Sequence, residues 1–526
     1  MTKMARTVAG LAITVCAISA HSYQPDAAYA QFEQRHSDRI AKQDKIISAQ
    51  LGALADRQGK KPNIIYILAD DIGWGELGTY GGGKVRGTPT PNLDALAEKG
   101  HKYLSHYSEP SCTPTRVALL TGRIPVRTGL DEVLFPGQTK GLAAEELTLA
   151  ELLSGVGYRT AMFGKWHLGE LAEHQPTSQG FDYAFYGTYN GGPWPWEENS
   201  KYFSEANRTV GEIPYFQDLP EDYEAEFGIK LHGVYEGRKG QRPEEVARMS
   251  LEAYNRHDDD LTARILDYLD AHSQDDRPFF IYFASNANQV FACPPEHRND
   301  PHVDSGNCQA AQLAQHDENV QKIVEKLDAL GLSENTLLVW MSDNGPMYEF
   351  FPSAGYSWLR GSKHTVYEGG IRTPAIAVWP GMIEPDQDPI DLIHVTDWFT
   401  TAARIAGAFG KIPSDRITDG IDQSELLFNG EGHSRRNYMF HYEEVFYGEP
   451  KGMRLGAVRL GNMKQHVQRG EVYNIVRDPG EKMGNPSPYI WVMTPIRRMV
   501  LEHQKMMERF PNRVVRETVG SKMLMK

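Results

Sequence analysis

From Ile64 to Ala69, the stretch 63-NIIYILADD-71 carries no polar group except the Tyr66 hydroxyl, and it then ends on two aspartates. A run with no water-facing position predicts a strand buried on both faces, as in a parallel sheet. Similar runs occur at 158-YRTAMFGK-165, 278-PFFIYFAS-285, 336-TLLVWMSDNG-345 and 371-IRTPAIAVWP-380. Between them, apolar residues recur three and four apart, the spacing of a helix with one buried face. The predicted helices are 90-TPNLDALAEKG-100, 147-LTLAELLSGVG-157, residues 244–272, residues 310–330 and 391-DLIHVTDWFTTAARIAG-407. Pro91 suits a first helical position and Gly100 a stop. Strands alternating with helices predict an α/β fold, a large, mostly parallel sheet sandwiched by helices.

The rhythm breaks twice. Residues 186–243 are rich in Gly, Pro, aromatics and acids, as in 190-NGGPWPWEENSKYF-203, and read as an insertion. From about residue 430 the helical spacing fades, and 455-LGAVRLGNMKQHVQ-468 and 472-VYNIVRDPGE-481 predict a smaller C-terminal antiparallel-sheet subdomain over 431–526. The main α/β domain therefore spans 61–430, preceded by a helical arm or linker over 31–60. Residues 1–30 read as a signal peptide: Lys3 and Arg6, the apolar run 7-TVAGLAITVCAISA-20, and a small-residue cleavage site at Ala28-Tyr29-Ala30. That run is too short for a membrane span. An exported product, periplasmic or secreted, is expected.

Composition narrows the picture. The 526 residues are 40% hydrophobic and 24% charged, as in a soluble enzyme, and the net charge of −14 argues against broad nucleic-acid binding. Four cysteines are present, and cleavage would remove Cys16. Cys293 and Cys308 can close a loop of about 15 residues, worth roughly 3 kcal/mol through chain entropy. Cys112 is left over, either a small buried core residue or something chemical.

In open α/β sheets, ligands bind beyond the carboxyl ends of the strands. Three predicted strands end there in reactive residues: Asp70-Asp71, Lys165-Trp166-His167 and Asp343-Asn344. Adjacent acids also bend turns and cap helices. Two such pairs at two strand ends, offering only oxygen donors, suit a hard cation, Ca²⁺ or Mg²⁺. Cys112 precedes a short apolar helix with Pro114 in its first turn and Arg116 one turn in. A helix N-terminus favours an anion, so the thiol there has the setting of a thiolate nucleophile, and Arg116 can face a tetrahedral oxyanion.

The run 112-CTPTR-116, followed after four residues by 121-TGR-123, resembles the signature of type I sulfatases, members of the alkaline phosphatase superfamily. The blocks 68-LADDIGWGELGTYGG-82, 164-GKWHLG-169, 342-SDNGP-346 and 359-LRGSKHTVYEGGIRTP-374 match the same family in the same order. The resemblance implies arylsulfatase-like hydrolysis of a sulfate monoester, aryl or carbohydrate. It implies that a formylglycine-generating enzyme converts Cys112 to Cα-formylglycine. It implies Ca²⁺ on Asp70, Asp71, Asp343, Asn344 and the modified Cys112. Arg116 would hold the aldehyde hydrate, Lys165 and Lys363 would contact the sulfate or the hydrate, and His167 would take the proton whose loss releases sulfate. One position departs: where the family usually continues into a His beside the ester oxygen, this chain has Gln289. Gln289 would still touch substrate, but it is no general acid, which leaves Lys363, His297, His302 or a good leaving group to fill the role. His364 beside Lys363 reads as a pocket or loop residue, His394 and Asp397 as structural, and Trp194 and Trp196 as a stacking rim or loop packing. Two alternatives remain: a phosphate or phosphonate ester hydrolase of the same superfamily, and a non-catalytic sulfate-ligand binding protein.

Overall fold

The computed structural model describes residues 23–189, 228, 233–287, 293–298, 308–348, 354–428, 432–445 and 452–512. Gln289, His302, Trp194 and Trp196 lie outside them, as does most of the predicted insertion.

Among the described residues, nine strands form the main sheet. In chain order they are β1 (Asn63–Ala69), β2 (His101–Lys102), β3 (Arg159–Lys165), β4 (Tyr183–Gly187), β5 (Gly233–Arg238), β6 (Glu244–Arg248), β7 (Phe279–Ala284), β8 (Thr336–Ser342) and β9 (Ala375–Val378). Across the sheet the order is β2-β9-β8-β1-β7-β3-β4-β5-β6. The central strands β8, β1, β7, β3 and β4 run parallel, and antiparallel strands finish both edges. Alternation along β1 shows why its sequence is apolar throughout. Ile64, Tyr66 and Leu68 enter one core, and Ile65, Ile67 and Ala69 enter the core on the opposite face. Helices α3 (Cys112–Thr121), α4 (Leu149–Ser154) and α7 (Asp397–Ile405) cover the first face. Helices α2 (Pro91–Glu98), α5 (Leu251–His272) and α6 (Cys308–Ala329) cover the second.

A separate antiparallel sheet follows: β10 (Tyr438–Val445), β11 (Gly452–Leu460), β12 (Met463–His466) and β13 (Val472–Asn474). It packs with α1 (Ala27–Gln58) and the closing helix α8 (Ile490–Arg509) around a third core. Among the described residues, no helix is long and apolar enough to cross a membrane.

The fold departs from the sequence expectations at several boundaries. Residues 244–248 are a strand on the sheet edge, not the start of a helix, because Ser250 caps α5 by accepting from the Ala253 N–H. The described ends of the insertion likewise extend the sheet through β5. The helix expected over 391–407 begins only at Asp397, since Ile393–His394 pair in parallel with His106–Tyr107. The arm begins at Ala27, not 31, with Asp26 as its N-cap, and it packs into the body instead of linking. Helix α8 went unanticipated; Pro495 inside it interrupts the helical signal. Cys293 and Cys308 form a disulfide.

Candidate active site

Strand pairing stops at one level in β1 and β8, where Ala69 lies opposite Ser342. The two chain ends are then tied across. The Asp343 N–H donates to the Ala69 carbonyl (3.0 Å), the Asp71 N–H to Asp343 Oδ1 (3.0 Å) and the Ile72 N–H to Ser342 Oγ (3.0 Å). Two strands away, β3 delivers Lys165 and then His167. Gly164 just before them has φ +103°, and a Cβ there would meet the Ala284 carbonyl oxygen at 1.9 Å. Among the described residues, five non-glycine residues adopt positive φ, and three of them, Asp71, His167 and His364, gather around this spot. Such strained backbone concentrates at functional sites.

Helix α3 is buried along its whole length and places its first residue, Cys112, over the strand ends. Cys112 Sγ lies 3.5 Å from Asp70 Oδ1 and accepts from Lys363 Nζ at 3.1 Å. Arg116 is fully buried. Its Nη1 donates to the Lys165 carbonyl (3.0 Å), and its Nη2 donates to Asp343 Oδ2 (2.9 Å) and lies 3.4 Å from Asp70 Oδ1. Lys165 Nζ pairs with Asp70 Oδ2 (2.7 Å), and Lys363 Nζ with both Asp71 oxygens (2.6 and 2.9 Å). His167 joins through Thr113, whose Oγ1 donates to the His167 carbonyl at 3.0 Å. The structure thus brings Asp70, Asp71, Cys112, Arg116, Lys165, His167, Asp343, Asn344 and Lys363 together, whereas His297 pairs with Glu318 instead.

The donor set fits a cation. One ligand atom from each of Asp70, Asp71, Cys112 and Asp343 lies within 4.8 Å of the others, and all four residues are buried. Asn344 Nδ2 donates to Asp71 Oδ1 and to the Gly345 carbonyl, which leaves its Oδ1 buried with no partner. A buried acceptor without a donor is costly unless something positive meets it. Oxygen donors of this kind suit Ca²⁺ or Mg²⁺.

Charge sharing sets the protonation states. Burial alone would raise the Asp70 carboxyl, but the Lys165 ammonium and Arg116 guanidinium outweigh it and hold Asp70 well below the usual range. Asp343 is pushed up to about 7 by burial and by the Asp70 charge. The thiolate expectation for Cys112 is corrected here. Burial pushes its thiol up, and the two lysines only partly offset that, so it stays protonated and weakly nucleophilic. Burial, with Lys165 and Arg116, holds the His167 imidazole well below its ordinary value. His167 Nε2 lies 2.8 Å from the Leu134 carbonyl, which can only accept, so Nε2 carries the hydrogen. The bare Nδ1 is buried without a partner.

The sulfatase family model matches residues 62–408, about two thirds of the chain. The chain belongs to the sulfatase family. It is 37% identical over 428 residues to human arylsulfatase A, covering 77% of this chain and 75% of that one. It is 30% identical over 505 residues to N-acetylgalactosamine-6-sulfatase of Canis lupus familiaris, covering 88% of each. The crystal structure of PsFucS1 sulfatase from Pseudoalteromonas sp. superposes with a TM-score of 0.79 at 30% identity, covering 90% of this chain and 96% of that one. The protein is a sulfuric ester hydrolase on the expected α/β fold.

Other candidates fall into place around this sulfatase centre. His364 Nδ1 bonds Glu444 Oε2. His297 Nδ1 faces Glu318 at 3.8 Å. Asp397 is buried in an ion pair with Arg436, and His394 Nδ1 bonds Thr396 Oγ1 at 2.9 Å, both structural arrangements. Sequence reasoning missed Glu444 and Ser111. Glu444 sits some 80 residues beyond Lys363 on a strand of the second sheet, and no local pattern marks it.

Proposed function

We propose that this sulfatase is an exported enzyme that hydrolyses an aryl or carbohydrate sulfate monoester, using formylglycine made from Cys112 and a Ca²⁺ ion. The observation that carries the reading is the buried set of Asp70, Asp71, Asp343 and Cys112 with the partnerless Asn344 Oδ1. Asp70, Asp71, Asp343, Asn344 and the modified Cys112 would hold the ion, which supplies Lewis-acid charge to the sulfate oxygens and to the nucleophile. The hydrated aldehyde supplies a hydroxyl that the protonated thiol cannot replace.

The chain's own side chains do the rest. Arg116 is fixed by three acceptors and orients the group on Cys112 from one side. Lys165 and Lys363 present ammonium groups to the charge that develops on a sulfuryl group. His167 receives a proton at Nδ1, because Nε2 is held by the Leu134 carbonyl. Lys363, 3.1 Å from Cys112 Sγ, would stabilise the departing alcohol by hydrogen bonding, since Asp71 holds its ammonium firmly protonated and a good leaving group then needs little proton transfer. Gln289 is proposed to contact the ester side of the substrate. The signal-like N-terminus supports export to a periplasm or beyond.

The test is sulfate release from 4-nitrophenyl sulfate, run beside 4-nitrophenyl phosphate and the Cys112→Ala variant, with the mass of tryptic peptide 103–116 read in parallel. Aldehyde in that peptide and a sulfate rate lost in Cys112→Ala are expected. A dominant phosphate rate would point to the phosphate or phosphonate ester reading instead.

A further inference from the structure

We infer that Glu444, carried by the C-terminal sheet, is a positioning residue that clamps the two loops supplying Cys112 and Lys363. The inference rests on the sulfatase reading and deepens it. Glu444 lies on β10, yet its side chain is only 3% exposed. Its Oε1 accepts from Ser111 Oγ at 2.5 Å, and its Oε2 bonds His364 Nδ1. Ser111 immediately precedes Cys112 and His364 immediately follows Lys363.

Both partners are held in unusual ways. Ser111 is the N-cap of α3, where a serine hydroxyl normally accepts from a backbone N–H of the first turn. Here it makes no such bond and is turned to the carboxylate instead. His364 sits at φ 70°, a costly conformation for a non-glycine residue, and its N–H donates to the Pro110 carbonyl at 2.7 Å. A single carboxylate therefore links residues 110–112 to residues 363–364. Lys363 Nζ and Cys112 Sγ meet at 3.1 Å across the same gap. Hydrogen bonds to a shielded carboxylate are strong, so the second sheet sets the spacing of two reacting groups in the first domain.

The experiment compares wild type with Glu444→Ala, Glu444→Gln, Ser111→Ala and the Glu444→Ala/Ser111→Ala double variant on 4-nitrophenyl sulfate. Rates are divided by the formylglycine content from peptide mass, and Tm is recorded for each. A misplacement near 1 Å costs on the order of a hundredfold. The expected result is a kcat lower by about ten- to a hundredfold in Glu444→Ala, with KM and Tm little changed. Glu444→Gln should recover part of the rate, because its amide oxygen still accepts from Ser111. The double variant should be no slower than Glu444→Ala alone. A kcat within twofold of wild type in Glu444→Ala, strictly additive losses, or a loss explained by Tm or formylglycine content would overturn the clamp. Wild type that releases no sulfate would instead overturn the sulfatase reading itself.

Discussion

His167 does its work through the nitrogen left over once the other is occupied. The Leu134 carbonyl fixes the hydrogen on Nε2, so Nδ1 is the only basic atom of the ring. A base must be unprotonated to act. Because burial, with Lys165 and Arg116, lowers this imidazole, protonation that would silence it is displaced to more acid pH. Activity that depends on His167 should therefore persist below pH 6.5, with the acid limb of kcat falling later than an ordinary histidine would allow. His167→Ala should lower kcat by roughly 10²–10⁴, the usual contribution of a positioned general base. A kcat–pH profile of wild type and a single-turnover comparison with the variant check both. An acid limb centred near 6.5, or a variant within a few-fold of wild type, would sink the role. At this scale the sequence was informative wherever chemistry and position coincide. The aspartates at the ends of β1 and β8 could be read as oxygen donors because both follow apolar runs. Cys112 was different. Its thiolate character depends on burial, which no local pattern carries, and the structure reverses that expectation. Glu444 was invisible for the same reason, as its role exists only after the second sheet docks.

Among the elements, the central strands were legible because burial on both faces leaves polar residues only at the ends of β1 and β8 and makes their interiors and β7 almost wholly apolar. Helix boundaries were less so. In 244-EEVAR-248 the polar residues suit a helix surface, but pairing with β5 at the sheet edge decided otherwise, and Ser250 restarted the chain as a helix. The arm α1 shows the largest shift. Tyr23 and Tyr29 are each only 2% exposed, and Gln24–Pro25 pair with Ile417–Thr418. Asp26 caps α1, receives Arg127 Nη2 at 2.7 Å and bonds His503 Nδ1 at 2.8 Å, tying the first helix to the last. Cleavage after Ala30 would remove all of these groups. The prediction is that processing leaves Tyr23 onward in the mature enzyme, checked by N-terminal sequencing of the exported protein; a chain starting at Gln31 would refute it. Burial alone would raise the Asp26 carboxyl, but the hydrogen bond and charge of His503, helped by Arg127, lower it to about 2. A folded pKa below the unfolded value means that the stabilisation is fully present above about pH 4 and fades as pH falls toward 2. It amounts to about 2 kcal/mol. Asp26→Asn should cost about 2 kcal/mol at pH 7, because it removes the carboxylate that His503 and Arg127 share, although Arg127 keeps its pair with Asp419. Urea unfolding at both pH values should show the gap between variant and wild type narrowing in acid. An equal gap throughout would contradict the linkage.

Across the whole molecule, the main domain supplies the charges, and the second sheet, through Glu444, reaches the segments that carry Cys112 and Lys363. Within the centre, once Asp343 gives up its proton, as binding an ion requires, the carboxylates of Asp70, Asp71 and Asp343 face Arg116, Lys165 and Lys363, three negative groups against three positive. A dication entering this balanced set brings two positive charges in excess, in a region where low dielectric makes charge costly. An anionic sulfate relieves part of that excess. Cation and anion should therefore bind more tightly together than either does alone, a mutual coupling that must be equal in both directions. The prediction concerns stability and does not require turnover. Chelation of purified protein should lower Tm, and Ca²⁺ at about a hundred times its Kd should restore about 2.7 kcal/mol, roughly 2–3 °C for a chain of this length. Inorganic sulfate should raise Tm further in Ca²⁺ than in chelator. Asn344→Ala should weaken the Ca²⁺ shift, because it removes the oxygen that no protein group satisfies. A Tm indifferent to chelator and to Ca²⁺ would argue that the buried oxygens serve structure alone. Equal sulfate shifts with and without Ca²⁺ would argue that the lysines and Arg116 bind the anion without help from the ion.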